Sequence, residues 1–533
     1  HSFEMVFVPI RSRVSMRERR SLRFSFTGPR FYYSSLTRHR LLRSSRHFPE
    51  GLGSVKIVGQ GDPKMLPDPP GNVDPWIQVA LKRFDPDTYN KIRGYTRRGG
   101  SLSTLYEQLG NFGENPCLQD PPAKVRSLFD PAFERTREIF TRKKFRIQSL
   151  CESMDELQRN TSAGWTFGGA KKGDVLEKIY HEARGLNHEL KTYYGRQRGQ
   201  VHFPPCCTAR RGAMSPIDEP KARLIWLYPA EITALELCYA GPAYRSLTSL
   251  GVLHGPMLLG SDADRVATSW MQLNECLPMY GLDFSHFDAS ISPWLIHAAF
   301  DIIWDMVDTS GLTPAKIRKK KATLAGLKDY FINTPLIMPD GLVVRKRSGV
   351  PSGSAFTQLV DSICNYLLIQ MAAMAQNAEV LGLRVLGDDS GFFSRDFSIE
   401  TASAFFTGLN LTLSPKKCEF TKDRTDFKLL GFTYRGGCRN RPYDVWCKYA
   451  LYPETYVWNL GQSFTRLIGL MLSGAHRSVA FVNFFRYYQS GFPVPTSGYF
   501  NRDTLRFFRN VLGINVSPIW SIGSLQFLLW FTR

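Results

Sequence analysis

Tyr280-Gly-Leu-Asp-Phe-Ser-His-Phe-Asp-Ala-Ser290 ends an apolar run, Leu277 to Leu282, on an acid, Asp283, and sets Asp288 five residues further on. A carboxylate at the end of a buried strand is costly unless a cation or hydrogen-bond donors meet it. From Pro293 the pattern turns to an amphipathic helix running to Val307. The spacing of the two acids is a weak signal alone, and Asp288 or Ser292 could equally cap that helix. Downstream, Leu383-Arg-Val-Leu-Gly-Asp-Asp-Ser-Gly-Phe-Phe393 has two apolar runs around Gly-Asp-Asp-Ser-Gly. That is the pattern of strand, tight turn and strand, with Asp388 and Asp389 at the tip. A bare turn accounts for the triplet by itself. Together, two strand ends that each present an acid can meet in one sheet. Asp283 and Asp388 would then clamp two Mg²⁺ ions about 3.5–4 Å apart. Mg²⁺ keeps several waters, so few protein ligands suffice. Asp389 is a secondary ligand or orients the others.

Between the acids lies Arg347-Ser-Gly-Val-Pro-Ser-Gly-Ser-Ala-Phe-Thr-Gln-Leu-Val-Asp-Ser-Ile-Cys-Asn-Tyr366. Gly349 to Gly353 read as a loop, with helical periodicity from about Ala355. Thr357, Asp361 and Asn365 are spaced i, i+4, i+8 and share a face. Such a face can bond a ribose beside an active site, or turn its polar groups to solvent.

In this order, D-x4-D, P-S-G-x3-T…N and G-D-D resemble motifs A, B and C of the right-handed viral RNA-dependent RNA polymerases. Lys221-Ala-Arg-Leu-Ile225 resembles motif F, whose Lys221 and Arg223 would hold the incoming triphosphate, with Arg210 and Arg211 as further candidates. Thr161-Ser-Ala-Gly-Trp165 resembles motif G, implying template contacts at Thr161, Ser162 and Gly164. Leu413-Ser-Pro-Lys-Lys417 resembles motif D, in which Lys416 or Lys417 would protonate pyrophosphate. Phe427-Lys-Leu-Leu-Gly-Phe432 resembles motif E, the primer grip. The motif B string and the chain length look most like polymerases of the partitivirus and picobirnavirus group.

The resemblance implies an α+β fold, a closed right hand of fingers, palm and thumb with an antiparallel palm sheet and many helices. It implies copying of a viral, double-stranded RNA genome with Mg²⁺, for which Mn²⁺ can substitute. The implied partners are RNA template and product, ribonucleoside triphosphates and a viral capsid protein. The implied setting is the virion interior and the host cytoplasm. Nucleotide contacts would come from Asp288, Ser352, Gly353, Thr357 and Asn365. One departure stands out. Many positive-strand RNA polymerases carry an Asn nine residues after the motif B Ser, where it bonds the second motif A Asp. Here that position is Asp361, and the Asn is one turn on, at Asn365. Facing carboxylates would repel, or one would hold a proton. Ser352, Thr357 and Asn365 are therefore the candidate partners of Asp288.

Composition agrees with a polyanionic partner. Lys and Arg number 68 against 47 Asp and Glu, a net charge of +21. The ten cysteines make no C-x-x-C pair and no zinc spacing, so reduced thiols are expected. No apolar run is long enough for a membrane span. Residues 1–75 read as a basic extension: an Arg- and Ser-rich arm to about 47, suited to RNA binding, organelle targeting or a flexible tail, then a linker over 59–75. Residues 76–276 are expected to form the fingers, 277–447 the palm with a fingers insertion near 311–346, and 448–533 the thumb. Two rivals make different demands. A reverse transcriptase usually has an aromatic residue at the place of Asp288 and Met-Asp-Asp for Gly387-Asp-Asp. A non-enzymatic RNA-packaging protein needs no acids at all.

Overall fold

The computed structural model describes residues 52–61, 63, 71–198, 201–258, 270, 276–422, 427–435, 438–493, 497–510 and 515–521. The Arg-rich arm lies outside them. At the centre is a four-stranded antiparallel sheet in the order Leu381–Leu386, Asp389–Phe393, Met279–Gly281, Glu419–Thr421. The expected hairpin forms, with Leu386 opposite Asp389, so Gly387 and Asp388 alone make the turn. Gly387 has φ 65°, which a side chain rarely adopts. The strand before Asp283 is interior, paired on both edges, and Tyr280 stacks on Phe392 with centroids 5.4 Å apart.

Helix Thr357–Ala375 packs against this sheet and is buried from Leu359 to Ala373. It also packs on helices Arg126–Phe140 and Pro293–Asp305. Being covered on most sides, it can be apolar nearly all round. The few polar groups it carries, Asp361, Ser362, Asn365 and Gln370, must therefore find partners.

A second, five-stranded sheet runs Lys56–Gln60, Leu342–Arg345, Pro335–Ile337, Cys206–Gly212, Ala222–Leu227. One pair, Cys206–Gly212 with Pro335–Ile337, is parallel and the rest are antiparallel. Here the expected linker needs correcting. Gly59 and Gln60 pair with Val343 and Leu342, and the Gly61 N–H bonds the Gly341 carbonyl at 2.7 Å. An edge strand takes its hydrogen bonds from a distant segment, so local Gly and Pro signals misjudge it.

Helices Tyr443–Leu451, Leu460–Leu472 and Val479–Gly491 build a separate core with Trp446, Phe464, Phe485 and Tyr488. Helices Pro75–Phe84 and Pro86–Ile92 join it through Ile77, Leu81 and Ile92. They were expected at the start of the fingers. An amphipathic helix announces an apolar face, not the partner that covers it. Among the described residues, no helix is long and apolar enough to cross a membrane.

Buried Asp74 fastens the early helices to the late ones. It caps helix Pro75–Phe84 by accepting from Ile77 N–H, accepts from the Ser463 hydroxyl at 3.0 Å, and pairs with Arg466 at 2.7 Å. Asp74→Ala is expected to destabilise this unit by about 3–5 kcal/mol, because it leaves a largely enclosed guanidinium with two backbone carbonyls but no counter-ion. The denaturant midpoint followed by Trp fluorescence checks it, and a shift below about 1 kcal/mol would remove the pair from the stability account.

Candidate active site

Two chain segments bring three acids to one edge of the central sheet. Asp283 follows strand Met279–Gly281, its carbonyl accepting from Ser414 N–H at 2.8 Å. Asp388 sits in the hairpin turn, and Asp389 opens the return strand. Ser390 locks hairpin to strand, its hydroxyl accepting from Leu282 N–H at 3.3 Å. The acids feel one another. Asp389 has its pKa pushed up to about 7, first by loss of solvent and then by the charges of Asp388 and Asp283. Asp388 opens on the cleft, yet the protein crowded round the turn and the Asp283 charge raise its pKa too.

Among the described residues, no three His, Cys, Asp or Glu side chains are grouped to hold a metal ion unaided. The donor chemistry nevertheless fits a hard divalent cation. Carboxylates that repel into higher proton affinity are ones a cation would discharge, and Mg²⁺ needs only one or two of them beside substrate phosphates.

Positive groups face the acids from two sides. Arg223, exposed on strand Ala222–Leu227, lies close enough to lower the pKa of both Asp288 and Asp388. The Lys417 ammonium stands 3.8 Å from the Asp283 carboxylate, held by the turn in which Lys417 N–H bonds Ser414 O. Lys416 is exposed beside it and Lys221 is exposed at the strand's start. Arg211, the further triphosphate candidate, makes an ion pair of its own. Although it is opposite Arg223 in register, its guanidinium pairs with Glu454 at 2.6 Å, and Arg97 shares the same oxygen at 2.7 Å.

The position of Asp361 bears on the question of the Asp288 partner. Asp361 is fully buried and hydrogen-bonds Asp288. Burial first, then the charges of Asp288 and Asp388, push its pKa well up, the direction that favours a proton on Asp361 in that bond. Asp288, at the start of helix Phe287–Ser290, rises to about 6, chiefly through desolvation and the Asp388 charge, with Arg223 and Asp361 opposing. The other Asp361 oxygen, Oδ1, is buried without a hydrogen-bond partner.

The expected partners of Asp288 do other work. Asn365 Nδ2 donates to the carbonyls of Gly387 and Asp388, both at 3.0 Å. Ser362 accepts from Gly387 N–H at 2.8 Å. These two polar groups clamp the acid-bearing turn from the helix behind it. Thr357 donates to Pro351 O at 2.6 Å and Ser354 O at 2.9 Å, which fixes the loop entering the helix. Ser352 accepts from Trp226 N–H at 3.3 Å. A side chain on Gly353 would overlap the Trp226 carbonyl, so the loop packs directly on the Arg223 strand.

Thr161, Ser162 and Gly164 form a turn docked on the next helix. The Ser162 hydroxyl accepts from Gly164 N–H, Lys172 donates to Thr161 Oγ1 at 2.9 Å, and Ala230 N–H bonds Ala163 O. Gly164 has φ 89° and sits against Tyr228 and Pro229.

Sequence reasoning missed Ser362 and Glu236. Ser362 lies three residues before Asn365 on the same helix face, a spacing that was available. Glu236 is one of two buried acids, with Glu231, in the apolar helix Ala230–Ser249, and it accepts from Ser354 Oγ at 2.8 Å and Ala355 N–H at 2.7 Å.

A right-hand polymerase fold is what these elements make, and the comparisons agree. The chain matches the model of viral RNA-dependent RNA polymerases over residues 121–488 and belongs to that family. It is 31% identical over 266 residues to the RNA-directed RNA polymerase of Cryptosporidium parvum virus 1 (strain KSU-1), covering 46% of this chain and 45% of that protein. It is 26% identical over 232 residues to the genome polyprotein of a bovine enteric calicivirus, spanning 10% of that polyprotein. The matched region is thus under half the length of each of these relatives. The crystal structure of a human picobirnavirus RNA-dependent RNA polymerase superposes with TM-score 0.61 at 15% identity, over 80% of this chain and 84% of that one. At that identity it bears on the fold alone.

Glu236 has its pKa raised to about 8 by burial, against partial relief from Ser354 and Ala355. Its folded pKa exceeds the unfolded value of about 4.5, so the native state binds the extra proton and stability falls as pH rises from about 4.5 to 8. Glu236→Gln should remove that slope and gain on the wild type by a few kcal/mol across the window. Parallel curves of Tm against pH for the two proteins would contradict it.

Proposed function

We propose that this chain is an RNA-dependent RNA polymerase that copies a viral RNA genome, double-stranded in kind, by metal-assisted nucleotidyl transfer. The observation that carries the reading is the convergence of Asp283, Asp388 and Asp389 at one sheet edge, opposed by Arg223 and Lys417, in a chain of this family. Two divalent cations, Mg²⁺ or Mn²⁺, would supply charge neutralisation at the phosphates and acidify the RNA 3′-hydroxyl. Asp283 and Asp388 are the residues that would hold them, with Asp389 in support.

The protein's own groups do the rest. Arg223 can grip triphosphate oxygens bidentately on the side of the cleft facing the acids. Lys417, 3.8 Å from the Asp283 carboxylate, can give a proton to the departing pyrophosphate. Asp288 accepts from the ribose 2′-hydroxyl. Asp361 keeps the proton that aims Asp288, the duty an Asn has in related enzymes. A site built around that hydroxyl penalises a deoxynucleotide by leaving buried polar atoms unpaired. Elsewhere the excess positive charge would follow RNA backbones without reading sequence. A capsid protein is a further proposed partner.

Incorporation of ribonucleotides against deoxyribonucleotides on an RNA template, with and without Mg²⁺, tests the reading. Asp388→Asn keeps size but removes charge. It should cut synthesis by about three or more orders of magnitude while RNA binding persists, and near-normal synthesis would falsify its assignment.

The sugar site has its own test, the ratio of kcat/KM for a nucleotide and its 2′-deoxy analogue. Asp288→Ala should lower the ratio about tenfold or more. Asp361→Asn retains a donor and should stay within about threefold of wild type, whereas Asp361→Leu should lower the ratio about tenfold. Asn365→Ala, which loosens the turn rather than the sugar contact, should slow both nucleotides alike. A ratio that responds to Asn365→Ala and ignores Asp361→Leu would reverse the assignment of the Asp288 partner.

A further inference from the structure

Lys346 is fully buried, and among the described residues no other lysine is. It lies between strand Leu342–Arg345 and the loop Gly349–Gly353. Its ammonium donates to the carbonyls of Phe331, of Ile332 at 3.0 Å, and of Gly349 at 2.7 Å. An ammonium has three donors and no acceptor, so these three carbonyls use it completely. The Phe331 and Trp226 rings flank it with centroids 5.5 and 5.9 Å away. Among the described residues it forms no ion pair.

A buried cation without an anion is expensive, and burial alone pulls the Lys346 pKa well down. What offsets the cost is the end of helix Pro314–Ile332. Its last carbonyls have no partners within the helix and carry the negative end of its dipole. Lys346 therefore caps that helix from a distant segment, which is an ordinary structural role. Its third bond is not explained by capping, because Gly349 belongs to the loop and not to the helix.

That loop is fastened at two further points. Gly349 N–H bonds Ile291 O at 2.8 Å, and Val350 N–H bonds the carbonyl of Asp288 itself at 2.7 Å. On its other side, Ser352 and Gly353 rest on Trp226. Gly349 has φ 74°, so the loop bends there under little restraint of its own. A continuous chain of contacts runs from the helix end through Lys346 and Gly349 to Val350 and Asp288.

We propose that Lys346 is a positioning residue for nucleotide selection, setting the 349–353 loop and, through it, the backbone of Asp288 against the incoming sugar. The proposal rests on the sugar-reading role given to Asp288 above.

Lys346→Met keeps reach and removes all donors, and Lys346→Gln keeps one. Each is compared with wild type for nucleotide KM, kcat and the ribose-to-deoxyribose ratio of kcat/KM, with RNA affinity and denaturation midpoint as controls. The expected result for Lys346→Met is a KM raised about tenfold and a ratio lowered about tenfold, with kcat within about threefold and RNA affinity unchanged. Lys346→Gln should fall between it and wild type. A merely structural lysine would lower the midpoint or the yield of active enzyme while leaving KM and the ratio at wild-type values. That result overturns the proposal, as does failure of both variants to fold. Asp288→Ala, run alongside, separates the two readings. If it leaves the ratio unchanged while Lys346→Met shifts it, the role of Asp288 fails and the loop's does not. The opposite pattern overturns the role of Lys346.

Discussion

Three negative charges cannot be crowded at a two-residue turn unless something holds the turn in place. The hairpin at Gly387-Asp388 pairs immediately on either side and has no slack. Asp389 is lifted to about 7 first by loss of solvent, and the repulsion from Asp388 and Asp283 that adds to it also pushes the turn toward opening. Helix Thr357–Ala375 resists with Ser362 on the Gly387 N–H and Asn365 on the next carbonyls. Both bonds are made in a dry interior, where satisfying one polar group with another counts for most. The apolar helix is thus a rigid backing for the acids, and its few polar residues are the ones the turn requires.

Much of this was legible in the chain. A strand ending in Asp283, a tight hairpin carrying Asp388 and Asp389, and a loop leading into a helix all follow from local pattern. What pattern could not give is which polar atom meets which. Thr357, Asp361 and Asn365 share a face as their spacing implies, but they serve three different partners. The exchange of Asn for Asp at 361 is decided by a proton whose place depends on burial, and burial is a property of the fold. Glu236 and Lys346 were illegible for the same reason. Glu236 shares its helix with Glu231 and Lys346 stands between Arg345 and Arg347, and nothing in either string says which charge distant segments will close around. Likewise nothing local in Lys56–Gln60 or Pro75–Phe84 says what lies opposite.

Charge also governs how the outer parts meet. Glu454, in the loop after helix Tyr443–Leu451, takes Arg97 and Arg211 on one oxygen and has its pKa held below the usual range, Arg211 acting first against the effect of burial. Arg211 stands across the strand pair from Arg223. A contact between the C-terminal helical unit and the five-stranded sheet is therefore made by exposed ions beside the triphosphate side of the cleft. Such bonds are individually weak and screened by salt, unlike the apolar cores on either side of them.

The Asp74–Arg466 pair joins residues 392 positions apart, and the apolar cluster around it draws on residues 77–92 and 446–520. On the ribosome, helix Pro75–Phe84 emerges with only helix Pro86–Ile92 to lie against, hundreds of residues before the C-terminal helices that complete the cover of its apolar face. That unit can close only after nearly the whole chain has been made, so its assembly is a late, non-local event with a large loop to close. Until then the exposed face of Ile77 and Leu81 is a place where nascent chains could stick to one another or be held by a chaperone.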